Sequence, residues 1–371
     1  MPQLLIIADD LTGANDTGVQ FAKRGFDVLV NIHCEQDLPA RAPECQVLVV
    51  NTESRHLPPV EAAQRVFHVA QQGVQLGIPQ FYKKTDSTLR GNIGAELAAL
   101  LCATNESALY FAPAYPKLQR TTRNGFHYVS DIPLSQTSYA ADALNPLQDD
   151  YLPTLIARQT DLPIAMFDAA VAPASQPTIY VVNAANEQDL QTAANTLQHQ
   201  SVLAGSAGWA EYLLSSAATI IAAPHRLSLP LLVVNGSRHE VSLLQVAHAA
   251  AAGWPVLEVN ANLSSAQISA VLMREQAAIL TTPPRSHDVN FAARLAALVP
   301  PILKQTSLAT LIVFGGDTLG AVAQACSWTT FHPVTEYLPG IPLVRLGERE
   351  KLVLLTKAGG FGFPDWLRNI F

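Results

Sequence analysis

The stretch YKKTDSTLRGN, residues 82–92, sets Lys83, Lys84, Asp86 and Arg90 among Thr85, Ser87 and Thr88, directly behind a segment that reads as a strand. Two other strand ends carry similar chemistry: ADD puts Asp9 and Asp10 after a short apolar run, and NTESR puts Arg55 after another. Asp9, Asp10 and Asp86 offer carboxylates to the hydroxyls of a ligand. Arg55, Lys84 and Arg90, with Lys83 beside them, offer cations to a ligand carboxylate, which arginine grips in a two-pronged fork. Together they suit a polyhydroxylated acid. Taken singly, each charge reads equally well as a solvated loop residue, and Asp10 or Thr12 as a helix cap. RTTRNG adds Arg120, Arg123 and Asn124 at a further strand end.

A different chemistry gathers towards the C-terminus. LIVFGGDTLGAV reads as a strand, then Gly315, Gly316, Asp317 and Thr318, then a helix. Glycine lets the backbone approach a ligand, and a helix start offers unpaired N–H groups and a positive dipole end to phosphate. LLTKAGGFG repeats the device with Lys357, Gly359, Gly360 and Gly362, and VVNGSRHE with Gly236 and Ser237. One such turn is an ordinary strand-to-helix connection; three at one sheet edge make a nucleotide cradle. The chain has neither G-x-x-x-x-G-K-[ST] nor G-x-G-x-x-G, so a Walker site and a dinucleotide fingerprint are excluded. No G-x-S-x-G elbow argues for hydrolysis, and no H-x-x-x-H or H-E-x-x-H pair argues for a metal.

These turns need a scaffold that delivers strand ends to one edge. Leu4 to Ala8 is a short, wholly apolar run, as a central parallel strand requires, and ANDTGVQFAKRG continues as a helix with Gly25 where a C-cap glycine belongs. DVLVNI and CQVLVVN read as strands and PPVEAAQRVFHVAQQGVQLG as a helix opened by its prolines. QFYKK, NIGAELAALLCAT and SALYFAPAYP follow as strand, helix and strand. Residues 130–176 read as a less regular excursion, after which two further units around TIYVVN and SVLAGS rejoin the first domain. The linker is AAPHRLSLP, before the new apolar strand LLVVN. Alternating strands and helices predict two doubly wound, three-layer α/β domains, residues 1–223 and 224–371, with mostly parallel sheets and an active-site cleft between them. Ligands of such sheets bind beyond the carboxyl ends of the strands, where the polar motifs fall.

Composition narrows the partners. With 371 residues, 49% of them hydrophobic and 14% charged, the chain reads as a well-buried two-domain globular protein. A formal charge of −7 gives no basic field for nucleic acid. No apolar run is long enough to span a bilayer, and MPQLLIIADDLTG lacks the basic and apolar regions of a secretion signal, so a cytoplasmic home is expected. Cys34, Cys45, Cys102 and Cys326 form no C-x-x-C pair and read as reduced, mostly buried thiols.

The sequence resembles the four-carbon acid sugar kinases, a family once described only as a domain of unknown function. IIADDLTGANDTGVQFAKRG, NTESR, YKKTDSTLRGNIGAEL, APAYPKLQRTTRNGFHYV, GGDT and TKAGGFG occur in that family's order over nearly the whole chain. KTDSTLRGN after ADDLTGA is the specific part; GGDT alone is not. The resemblance implies an N-terminal sugar-acid domain, a C-terminal ATP domain, and transfer of the γ-phosphoryl group to the C4 hydroxyl of a tetronate, with Mg²⁺ bridging the phosphates. Carried over, Asp10, Arg55 and Lys83, Lys84, Thr85 and Asp86 would hold substrate. Ser237, Gly315, Gly316, Asp317 and Thr318, and Lys357, Ala358, Gly359 and Gly360 would hold ATP. Asp86 and Asp10 are the candidates to orient or deprotonate the hydroxyl, with Asp317 a rival, and Lys84 or Lys357 the candidates to neutralise developing charge. ADDLTGANDTGVQFA looks most like the D-threonate kinase branch, with D-erythronate or a 3-oxo-tetronate as alternatives. A non-catalytic sugar-acid-binding protein and a hydroxy-acid dehydrogenase are the readings from other classes; the sequence leaves the oligomeric state open, with a homodimer as a candidate. Between AAILTTPPRS and LATLIVF the chain is shorter than typical members.

Overall fold

The structure is a computed structural model that describes the chain except for residues 33–37, 39–43, 142–145, 148, 215–225, 261, 284–289, 348 and 371. It divides into two compact units, Met1–Thr219 and Ile220–Phe371. The expected boundary at residues 223 and 224, and the first half of the expected linker, lie outside the described residues.

In the first unit β1 (Leu4–Ala8), α1 (Leu11–Ala22), β2 (Val28–Asn31) and β3 (Val47–Asn51) are followed by α2 (Pro59–Gln75), β4 (Gln80–Lys84), α3 (Ile93–Thr104) and β5 (Ala108–Ala112). An antiparallel three-stranded sheet of β6 (Arg120–Arg123), β7 (Phe126–Val129) and β8 (Ile132–Pro133) comes next. Its first hairpin turns on Asn124 and Gly125, both at positive φ, as a two-residue turn demands. Then come α4 (Leu152–Ala157), β9 (Ile164–Met166), β10 (Thr178–Val181), α5 (Glu187–Thr196), β11 (Val202–Gly205) and the short α6 (Ala207–Ala210).

The main sheet of this unit runs β2-β3-β1-β4-β11-β5-β10-β9, and each of its pairs is parallel. Its strands read as unbroken apolar runs because helices cover them. Leu5 and Ile7 of β1, Leu48 and Val50 of β3 and Phe81 of β4 form one core with Val66 and Val69 of α2 and Leu97 and Leu100 of α3. α1 packs instead against α6 and β1 to β3.

The second unit holds β12 (Leu231–Asn235), α7 (Glu240–Ala251), β13 (Val256–Glu258), α8 (Ser265–Glu275), β14 (Ala277–Thr281), α9 (Phe291–Gln305), β15 (Thr310–Phe314) and α10 (Gly316–Ala325). β16 (Thr330–Leu338), β17 (Ile341–Leu346) and β18 (Arg349–Lys357) complete it. The order is β13-β14-β12-β15-β18-β17-β16: five parallel strands, then two antiparallel ones that the sequence reading did not separate. Leu231, Val233, Ile279, Ile312, Phe314 and Leu355 build its core. Among the described residues no helix is long and apolar enough to cross a membrane. Cys45 is buried, Cys326 half-buried and Cys102 exposed, while Cys34 lies outside the described residues.

Candidate active site

β1 and β4 run side by side in register, Ile7 opposite Lys83 and Ala8 opposite Lys84. Successive side chains of a strand point to opposite faces, so the two lysines part. Lys83 joins the face of Leu5 and Ile7. There it is fully buried, pairs with Glu96 of α3 at 3.0 Å and donates to the Lys84 carbonyl at 2.7 Å. The Ser54 hydroxyl donates to the other Glu96 oxygen. Burial, with the Asp9 charge nearby, raises the Glu96 carboxyl above its ordinary value even against Lys83. Lys83 is thus held in a buried brace.

Lys84 takes the other face. Its Nζ lies over the first turn of α1, so close that a Cβ on Gly13 would meet it at 2.7 Å. The residue is 4% exposed, and its ammonium has no hydrogen bond or ion pair among the described residues. The same Gly13 Cβ would meet Asp10 Oδ1 at 2.5 Å, so one carboxylate already faces the ammonium and the positive helix start across this space. Thr12 Oγ1 and both amide atoms of Asn15, three residues apart on one face of α1, are buried without partners among the described residues, as is Thr85 Oγ1. Each such group costs about 1–3 kcal/mol while unpaired. A ligand carrying hydroxyls and a carboxylate would satisfy them.

Arg55 links the two aspartates that end β1. Its Nε donates to Asp9 Oδ2 and its Nη1 to Asp10 Oδ2, each at 2.7 Å, leaving Nη2 without a partner among the described residues. Burial works against the Arg55 charge, but Asp10 and Asp9 outweigh it and tighten the proton. Asp9 is likewise desolvated, yet Arg55, Lys83 and Lys84 hold its carboxyl below the usual value. Asp10 does double duty, since its Oδ1 accepts from the Gly13 N–H at 2.8 Å and caps α1.

Asp86 sits in the loop after β4, its Oδ2 accepting from Arg90 Nε and Thr88 Oγ1, each at 2.6 Å. Burial pushes this carboxyl up, but Arg90 and Arg55 and the two hydrogen bonds hold it well below the ordinary range. A carboxylate so held is a firm acceptor and a weak base. Two residues that sequence reasoning missed brace the loop. His127 Nε2–H donates to the Ser87 carbonyl at 2.9 Å while its Nδ1 accepts from Thr122 Oγ1 at 3.0 Å, the tautomer these partners require, and burial lowers the ring to about 4. Asn92 donates to the carbonyls of Ser54 at 3.0 Å and Leu57 at 2.8 Å, tying this loop to the Arg55 loop. Asn92 was visible in the quoted motif, but nothing in NGFHYV marked His127. Arg123 pairs with exposed Asp131 at 2.9 Å.

In the second unit the three small-residue turns do meet, at the ends of β12, β15 and β18. A Cβ on Gly236 would lie 2.0 Å from Thr318 Oγ1, and one on Gly359 would lie 2.6 Å from Ser237 Oγ. Gly315 takes φ 98 beside the Ser237 backbone and caps α10 without a side-chain hydrogen bond of its own. Thr318 is buried and Asp317 exposed in that first turn. Lys357 departs from the expected phosphate cation. It is fully buried, with Nζ bonded to Ser242 Oγ (3.0 Å), Ala358 O (3.1 Å) and Gly359 O (3.0 Å), and 4.3 Å from the Phe314 ring centre. Burial lowers its ammonium to about 7. Among the described residues no group of three His, Cys, Asp or Glu side chains is placed to hold a metal.

Comparison with known proteins assigns both units. A family model described as a sugar-binding N-terminal domain matches residues 4–213, and one described as a nucleotide-binding C-terminal domain matches residues 232–367. The chain is 32% identical to a D-threonate kinase of Salmonella typhimurium, over 98% of this chain and 96% of that one. It is 28% identical to a 3-oxo-tetronate kinase of the same organism, over 98% and 97%. A solved Haemophilus influenzae protein of a family of unknown function shares the fold with a TM-score of 0.74 at 22% identity, over 99% of this chain and 98% of that one. With both family models and a relative at this identity spanning nearly its full length, the chain belongs to the four-carbon acid sugar kinase family and is a carbohydrate kinase.

Proposed function

We propose that this kinase moves the γ-phosphoryl group of ATP to the C4 hydroxyl of a four-carbon sugar acid, D-threonate in preference to D-erythronate or a 3-oxo-tetronate. Residues 1–223 take the sugar acid and residues 224–371 the nucleotide. The observation that carries the reading is the unpaired Lys84 ammonium over the start of α1, beside Asp9, Asp10, Arg55 and Asp86. Lys84 and the free Nη2 of Arg55 meet the substrate carboxylate, and Asp9, Asp10, Thr85 and Asn15 meet its hydroxyls. Asp86 accepts from the attacking hydroxyl and orients it. Phosphoryl transfer asks for alignment and charge neutralisation more than for a strong base, which suits a carboxylate held this far below its usual range.

The second unit fits a nucleotide's phosphates, because the Gly236, Gly315 and Gly359 positions leave backbone exposed where any Cβ would collide or strain. Ser237, the Gly315 to Thr318 turn and the Ala358 to Gly360 turn would hold them. Asp317, exposed in the first turn of α10, is the carboxylate nearest to hand for Mg²⁺, which proteins commonly bind through one or two carboxylates and the phosphates. Bound ATP supplies the phosphoryl group, and Mg²⁺ its charge neutralisation. D-threonate is placed first on the ANDTGVQ segment and on the 32% identity to a D-threonate kinase against 28% to a 3-oxo-tetronate kinase. A coupled ADP-release screen over D-threonate, D-erythronate, L-threonate and 3-oxo-tetronates tests it. The highest kcat/KM is expected with D-threonate; ADP release that ignores the acid present would overturn the proposal.

A further inference from the structure

Lys357 is the last residue of β18, opposite Phe314 in the parallel pair with β15. An ammonium has three protons to give. All three are spent: on the carbonyls of Ala358 and Gly359 and on the Ser242 hydroxyl, which itself donates to the Gly359 carbonyl at 2.8 Å. None is left for a phosphate oxygen. In a planar trans peptide the C=O and N–H point in opposite directions. With the carbonyls of Ala358 and Gly359 drawn inward to Lys357, the N–H groups of Gly359 and Gly360 are turned outward, and neither has a partner among the described residues. The Ala358 carbonyl also accepts from the Phe361 N–H at 3.2 Å, closing a four-residue turn around them.

We infer that Lys357 is a positioning residue: through Ser242 and the two carbonyls it fixes the Ala358–Gly360 turn so that two successive N–H groups are offered to the nucleotide's phosphates, and it does not touch the phosphates itself. Successive outward N–H groups make an anion nest. Ser242, on α7 and fully buried, is part of the same device although no sequence motif marks it.

The inference rests on the nucleotide reading of the second unit, and the test separates the two. Full-length wild type, Lys357→Met and Ser242→Ala are compared by calorimetry with Mg·ADP and by steady-state kinetics in both substrates. Lys357→Met should raise the ADP Kd and the ATP KM roughly tenfold or more, as expected for a lost hydrogen-bonded brace, while kcat at saturating ATP stays within about threefold. Ser242→Ala should move the same two constants in the same direction by about threefold, and the sugar-acid KM should stay put in both. A collapse of kcat with an unchanged ATP KM in Lys357→Met would make the ammonium a partner of the reacting phosphoryl group and overturn the inference. A silent Ser242→Ala overturns it too, whether or not Lys357→Met folds, because a direct phosphate ligand would not need that hydroxyl. Wild type that binds no ADP overturns the nucleotide reading itself.

Discussion

Replacing Lys84 with methionine separates function from stability more cleanly than any other change in this molecule. Methionine nearly matches the lysine stem, so the packing over Gly13 is kept. The ammonium it removes makes no hydrogen bond or ion pair among the described residues; what goes with it is its share of the charge that holds Asp9, which Arg55 and Lys83 still supply, while burying the ammonium is itself a cost. The two effects oppose each other, so Lys84→Met should melt close to the wild-type temperature. Its neighbour behaves oppositely: Lys83→Met strands the Glu96 carboxylate and should lose about 3–5 kcal/mol. On the functional side, losing one desolvated charge from a carboxylate contact costs about 3 kcal/mol, or roughly two orders of magnitude in kcat/KM for the sugar acid. A coupled ADP-release assay and thermal melts on both variants decide it. If Lys84→Met keeps kcat/KM within about threefold of wild type, or melts as low as Lys83→Met, the anion site over α1 is refuted.

Three further outcomes follow from the geometry. Asp86→Asn keeps an oxygen for Arg90 and Thr88, so it should fold but lose about two to four orders of magnitude in kcat, the scale of a positioned acid-base group; unchanged turnover would reduce Asp86 to a brace. Gly359→Ala places its Cβ 2.6 Å from Ser237 Oγ and 2.8 Å from His239 Cβ, and should raise the ATP KM by about tenfold or more with the sugar-acid KM unmoved; the reverse pattern would exchange the roles of the two units. His127 titrates near 4 in the fold against 6.5 in the unfolded chain, so between those values the unfolded chain binds the extra proton. Stability is complete above about pH 6.5 and falls as pH drops towards 4, by about 3 kcal/mol in all, and the loop holding Asp86 loosens with it. Melts from pH 7 to 4.5 should be steeper for wild type than for His127→Gln; equal slopes would remove His127 as the cause.

The strands and the first helices were legible because a parallel sheet covered on both faces leaves unbroken apolar runs. Leu4 to Ala8 is the same five residues in sequence and structure. The hairpin of β6 and β7 was equally written in Asn124 and Gly125, but Arg120 and Arg123, both on β6 ahead of the turn, read as a strand-end site. α9 carries Pro300 and Pro301 inside it, a local break signal that packing overrides. The candidate site divides the same way. Side-chain type showed which residues could do chemistry, whereas the facing of Lys83 and Lys84 depended on strand alternation and on what each face packs against. Glu96 sits in NIGAEL as an ordinary helix residue, and only the fold brings Lys83 of β4 to it. Lys357 next to a glycine turn reads as a phosphate ligand, and only the carbonyls under the loop reveal that its protons are already taken.

The position of the new bond tests the central claim most directly. Wild type is incubated with ATP, Mg²⁺ and D-threonate, and the product is examined by phosphorus and carbon magnetic resonance. A single phosphomonoester coupled to C4, formed in step with ADP, is the expected result. Phosphate on another carbon, an acyl phosphate on the carboxylate, or release of inorganic phosphate alone would contradict the account, because each requires a substrate held otherwise than with its carboxylate on Lys84 and Arg55 and its C4 hydroxyl at Asp86.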